Sequence, residues 1–143
     1  DQLASQLFEQ QQKVVSLTAY KVLSVELAAG LGHTFYDNET DYETVYFDQE
    51  IQHDFASWVS GDSMEPLYPN GSVALMKQTG FDYDGAVYAL MWNGKTYIKK
   101  VYREAEGLRL ESINPDYDDL FAPYEDEPKI VGIVVGHFLP LEV

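Results

Sequence analysis

The chain is 143 residues long, enough for one domain with a buried core, and its 45% apolar content marks a globular rather than a disordered sequence. It has no cysteine, which excludes a disulfide framework, a thiolate metal site and a cysteine nucleophile and fits a reducing compartment. A net charge of −15 repels phosphate and argues against DNA or an anionic membrane as the partner of this segment. The longest apolar runs, such as Ala86–Trp92 and Val131–Val135, fall far short of a bilayer span, and no secretory leader pattern stands at the start. The chain opens on Asp1 rather than Met, which points to a piece of a longer protein; any DNA-binding module would then lie upstream.

Residues Asp1–Lys13 are rich in Gln, Leu, Ala and Glu, helix formers that suit the end of an interdomain linker with a short helix. Leu23, Val25, Leu27 and Ala29 then alternate with Ser24, Glu26 and Ala28, the period of a half-buried strand, which Gly30 and Gly32 end. The acidic stretch Asp37–Glu43 reads as a solvated loop. Beyond it the chain is a succession of strands rich in Val, Ile, Tyr and Trp: Thr44–Phe47, Ala56–Ser60, Ser72–Lys77, Ala86–Trp92, Lys95–Tyr102, Leu108–Ile113 and Ile130–Leu139. Asn93-Gly94 predicts a two-residue hairpin turn joining two of them, and Pro69-Asn70-Gly71 and Asp82-Tyr83-Asp84-Gly85 predict further turns. The expected fold class is mainly β, a set of curved sheets.

His33, His53 and His137 share no ligand-like spacing and read as surface or core residues; no metal or nucleotide motif is present, and no cofactor is expected. Asp82 and Asp84, like Asp116, Asp118 and Asp119, belong to turns rather than to a calcium loop. The segment Ser60-Gly61-Asp62-Ser63-Met64-Glu65-Pro66 stands out. It follows the apolar pair Trp58-Val59 and opens on a glycine, so a tight turn can aim the Ser63 hydroxyl outward beside converging backbone N–H groups. A plain turn, with Ser63 bonding its own backbone, is the bland account of the same residues. A nucleophilic serine needs a base, and no histidine is persuasively placed. A lysine serves if burial keeps it neutral. Lys99 and Lys100 lie in the apolar strand Thr96–Tyr102; alternation puts Lys99 with Tyr97 and Val101, and Lys100 with Ile98 and Tyr102. Spacing alone does not choose between them, and an edge strand carrying both charges outward is the alternative.

Taken together, Gly61–Pro66, Pro69–Ser72 with the apolar strand after it, Tyr97-Ile98-Lys99-Lys100-Val101, Ser112-Ile113-Asn114-Pro115-Asp116-Tyr117 and the closing Ile130–Gly136 resemble the LexA, UmuD and lambda-type repressor peptidases, over roughly Ala28 to Leu139. The resemblance implies a LexA/signal-peptidase-like fold and a Ser–Lys peptidase that cuts its own chain. It implies Ser63 as nucleophile, Lys99 as base, the backbone N–H groups of Asp62 and Ser63 as oxyanion donors, and Ala29-Gly30 as the bond cut. Small side chains on both sides of that bond let its backbone approach the nucleophile, which favours the scissile reading over the bland one, a glycine that ends a strand or caps a helix. The implied layout is a linker end over 1–20, a cleavage-site segment and acidic loop over 21–52, and a catalytic and dimerisation core over 53–143. The implied partners are a second copy of the chain, activated RecA filament, and operator DNA held by an upstream domain, in the cytoplasm of a bacterial host or prophage; no membrane partner is expected. Many relatives have Asp-Gly-Asp where this chain has Asn70-Gly71-Ser72. Two rivals remain open: a catalytically silent repressor dimerisation module, and a signal-peptidase-like enzyme, which would need a membrane anchor and an apolar docking surface.

Overall fold

Asn93 and Gly94 take φ of 52° and 74°, the left-handed conformations that a two-residue hairpin turn demands, and they join β5 (Val87–Trp92) to β6 (Lys95–Arg103). The computed structural model describes residues 16–24 and 42–142. The other strands are β1 (Thr18–Leu23), β2 (Glu43–Phe47), β3 (Phe55–Trp58), β4 (Val73–Lys77), β7 (Gly107–Glu111), β8 (Leu120–Pro123) and β9 (Lys129–Phe138). They form a nine-stranded mixed sheet in the order β2-β1-β3-β4-β9-β5-β6-β7-β8, in which β1 and β3 run parallel. The expected mainly-β class is what the chain adopts, with the described strands in one open mixed sheet.

The curvature follows from β9, which joins the two halves of the sheet. Its pairing slips by a residue against β4 between Leu75 and Met76, and against β5 between Ala89 and Leu90. Such bulges bend a strand and increase its twist. As a result both faces of the central strands are covered. In β4, Val73 and Leu75 enter a core with Tyr20, Val22, Ala56 and Phe138, while Ala74 and Met76 enter another with Leu23, Phe55, Val59, Met64 and Tyr68. In β5, Ala89 joins that second core, and Tyr88 and Leu90 pack in a third with Val101, Leu108, Leu110 and Ile133. Strands buried on both faces read as continuous apolar runs, which is why β4 and β5 are so legible in sequence.

Two strands were not anticipated. β1 starts at Thr18, within the span 1–20 assigned to linker, because Tyr20 and Val22 point inward beside β3. β8 is a four-residue edge strand whose Leu120 and Phe121 are exposed and which ends on Pro123 before a 3-10 turn at Tyr124–Asp126. The proposed linker helix and the alternating residues 25–29 lie outside the described residues. So do His33 and residues 37–41 of the acidic stretch, whose last member, Glu43, opens β2. The other two histidines pack locally: His53 Nδ1 lies 2.7 Å from the Ile51 carbonyl oxygen, and the His137 ring tilts against Tyr68 at 4.6 Å.

Candidate active site

β3 leaves the sheet at Trp58, and the next residues turn back sharply toward β4. Val59 donates its N–H to the Ser72 carbonyl at 2.9 Å and accepts from Gly71 N–H at 2.9 Å, so the chain returns beside itself. Gly61 sits at φ +80° with open space where a Cβ would be, so glycine is needed there for its backbone angle rather than for room. Its N–H donates to Asn70 Oδ1 at 2.8 Å, which ties the start of the serine turn to the Pro69-Asn70-Gly71 turn. Asn70 thus supplies the acceptor oxygen through its side-chain carbonyl. Met64 and Tyr68 are buried in the core below, anchoring the far side of the turn.

Ser63 stands at the crest of this turn. The segment after β7 holds it from behind: Asn114 N–H donates to the Ser63 carbonyl at 2.9 Å, Asn114 Nδ2 donates to the Asp62 carbonyl at 3.0 Å, and the Tyr117 hydroxyl donates to Asp62 Oδ1. That donation, with the charge of Asp62, holds the Tyr117 phenol above its usual range. A planar trans peptide points its N–H opposite to its C=O. Pinning the Asp62 carbonyl on Asn114 therefore turns the Ser63 N–H away from that segment, and it meets no acceptor among the described residues.

Lys99 comes from β6. The strand's alternation buries one lysine of the pair: Lys99 and Val101 are buried, whereas Lys100 is half-exposed and reaches Glu111 at 3.9 Å. Lys99 is 7% exposed. Its Nζ lies 2.7 Å from Ser63 Oγ, 2.8 Å from Ser112 Oγ and 5.8 Å from the centre of the Tyr117 ring. No carboxylate among the described residues pairs with it. Burial without a counter-ion lowers its pKa from the ordinary 10.5, since desolvation penalises the ammonium. Ser63 and Lys99 line a cleft of about 290 Å³ together with Ser24, Trp58, Met64 and Ile98.

Of the residues singled out in sequence, Ser63, Asp62 and Lys99 are thus brought together, while Ala29 and Gly30 lie outside the described residues. Ser112 was given no role, although a signal existed. The β6–β7 pairing sets Lys100 opposite Glu111, so the next rung sets Lys99 opposite Ser112. Reading the two strands as an antiparallel pair, with a register, would have found it.

The sheet thus sets a buried lysine against a serine on a turn, a pairing that can in chemical principle activate a serine without histidine. A profile of the Peptidase S24-like family matches residues 21–135, and the chain belongs to that family. It is 42% identical over 77 residues to repressor protein CI of Enterobacteria phage phi80, covering 52% of this chain and 32% of that protein. It is 34% identical over 86 residues to the LexA repressor of Citrifermentans bemidjiense, covering 59% and 43%. With the LexA repressor of Lacticaseibacillus casei the identity is 30% over 118 residues, covering 80% and 55%. The chain spans from about a third to just over half the length of these relatives.

Proposed function

We propose that this chain is the self-cleaving and dimerisation domain of a LexA-like or phage-type transcriptional repressor, with Ser63 as nucleophile and Lys99 as general base. The observation that carries the reading is the 2.7 Å approach of a buried, counter-ion-free lysine to a serine on a cleft wall. Neutral Lys99 takes the proton of Ser63 Oγ, which attacks the Ala29 carbonyl carbon. The oxyanion forms against backbone N–H groups, those of Ser63 and Asp62, of which the Ser63 N–H has its peptide pinned by Asn114. The Lys99 ammonium then passes the proton to the Gly30 nitrogen, the Ala29–Gly30 bond breaks, and an ester between Ala29 and Ser63 remains. Water, deprotonated by Lys99, hydrolyses that ester and frees the serine.

Chain connectivity supports an intramolecular reaction. Ser24, the residue after β1, lines the cleft, and Ala29 follows it by five residues, a radius of roughly 17 Å for an extended chain. A tethered substrate has a high effective concentration, so control rests on geometry or on the protonation of Lys99. Operator binding is assigned to a part of the protein other than this acidic segment, and cutting would separate it from the dimerising domain. Activated RecA filament is the partner proposed to favour the cleavable arrangement.

Mass spectrometry of the chain incubated from neutral to alkaline pH tests this. Wild type should part between Ala29 and Gly30, faster as pH rises, and Lys100→Ala should do the same, because its ion pair with Glu111 is exposed. Ser63→Ala and Lys99→Ala should stay whole. A wild-type chain that stays whole even with activated RecA filament would instead be a silent repressor module.

A further inference from the structure

Lys99 Nζ has two hydroxyl partners at nearly equal distance, and the proposed reaction uses one. Ser63 lines the cleft; Ser112 does not, being set one rung beyond the β6–β7 pairing, between buried Leu110 and half-buried Ile113. Ser112 therefore touches the base from outside the residues that line the cleft. We propose that Ser112 is the positioning residue of the Ser63–Lys99 pair: its hydroxyl fixes the rotation of the Lys99 amine and holds the ammonium that forms when Ser63 gives up its proton. This inference rests on the reading of Lys99 as the base.

The chemistry follows from the donor count. A neutral amine has two N–H groups and one lone pair, and the bond from Cε to Nζ turns freely unless something holds it. One N–H donated to Ser112 Oγ at 2.8 Å removes that freedom and leaves the lone pair free to face Ser63 Oγ at 2.7 Å. Once protonated, the ammonium has three donors; one stays on Ser112 and another is directed toward the cleft, where the leaving nitrogen must be protonated. Among the described residues no other group nearby does this work. The Tyr117 ring offers only its face at 5.8 Å, and the Tyr117 hydroxyl is committed to Asp62. Tyr88, opposite Lys99 on β5, has its hydroxyl occupied by Asp82 N–H, Tyr83 N–H and the Tyr83 carbonyl. Among the described residues no acidic side chain pairs with Lys99, so Ser112 is its fixed polar partner besides the nucleophile.

The same segment also grips the other half of the pair. Asn114, two residues on, binds the carbonyls of Asp62 and Ser63. The stretch from Ser112 to Asn114 thus sets base and nucleophile relative to one another, and motion of this stretch would misalign both.

The test compares Ser112→Thr with Ser112→Val, which match in shape and differ in the hydroxyl, beside wild type and Ser112→Ala. Self-cleavage is followed by mass spectrometry across pH, and Lys99 is titrated by NMR of its ¹³Cε and ¹⁵Nζ nuclei. Thr should keep the wild-type rate and midpoint. Val and Ala should lose roughly ten- to a hundredfold in the alkaline plateau rate, with the midpoint moved to lower pH because the ammonium has lost an acceptor. Thr and Val curves that superimpose in rate and in midpoint would overturn the proposal. If wild type itself never cleaves, even with activated RecA filament, the peptidase reading fails. The titration still decides this inference in that case: distinct Lys99 midpoints in Thr and Val show that the hydroxyl holds the amine, and identical ones show that it does not.

Discussion

Replacing Lys99 with Met in a Ser63→Ala background, where no cleavage can interfere, isolates the energetic consequence of burying an amine at the base of the cleft. Lys99 is 7% exposed and has no carboxylate partner among the described residues, so its folded-state pKa lies below the 10.5 of a free lysine. Between those two values the unfolded chain holds a proton that the folded chain has released. Stability then rises with pH, by about 1.4 kcal/mol per pH unit for one proton. Below the folded pKa both states are protonated, above 10.5 neither is, and in both regions the contribution of Lys99 is level. Met fills a similar volume with no charge to desolvate. The Met variant should therefore be the more stable at neutral pH, and its advantage should shrink along the alkaline window that closes at 10.5. Urea unfolding of both proteins at a series of pH values, with slopes checked for equality, measures the difference. A gap that stays constant with pH, or widens as pH rises, would refute the reasoning: Lys99 would then titrate like a surface lysine and would lack the physical basis for a neutral base.

Two further outcomes test the frame that holds the site. Tyr88→Phe removes a hydroxyl that accepts from Asp82 and Tyr83 N–H at 2.9 and 2.8 Å and donates to the Tyr83 carbonyl at 2.9 Å, stranding three backbone groups. It should cost about 1–3 kcal/mol in chemical denaturation; a neutral result would mean that the Asp82–Gly85 turn is held by other means. Gly132→Ala would set its Cβ 2.7 Å from the Lys77 carbonyl oxygen and 3.1 Å from the Phe55 ring, forcing β9 off β4. Overpacking of this kind should cost roughly 1–3 kcal/mol, read as a lowered thermal midpoint.

The sequence by itself determined the strands whose two faces are both buried, the Asn93-Gly94 hairpin and the serine turn, because each is written in adjacent residues. Apolar runs mark β4 and β5, and a glycine at positive φ marks the approach to Ser63. It narrowed the candidate base to a pair of lysines and, by resemblance, pointed to the first of them. Where local patterning was weak, it failed. β1 alternates correctly, with Tyr20 and Val22 inward, but sits beside a Gln-rich stretch that biased the reading toward linker, and β8 is too short and too exposed to show a period. Tertiary structure alone decided what depends on register between distant strands. Which lysine is buried is set by the pleat of β6 within the sheet, and Ser63 reaches Lys99 across 36 positions of sequence. Ser112 meets Lys99 only because β6 and β7 pair with Lys100 opposite Glu111; a slip of one residue would turn either side chain to the other face. A side chain's chemistry belongs to its residue, but the burial that lowers a lysine's pKa and the oxygens that meet it belong to the fold.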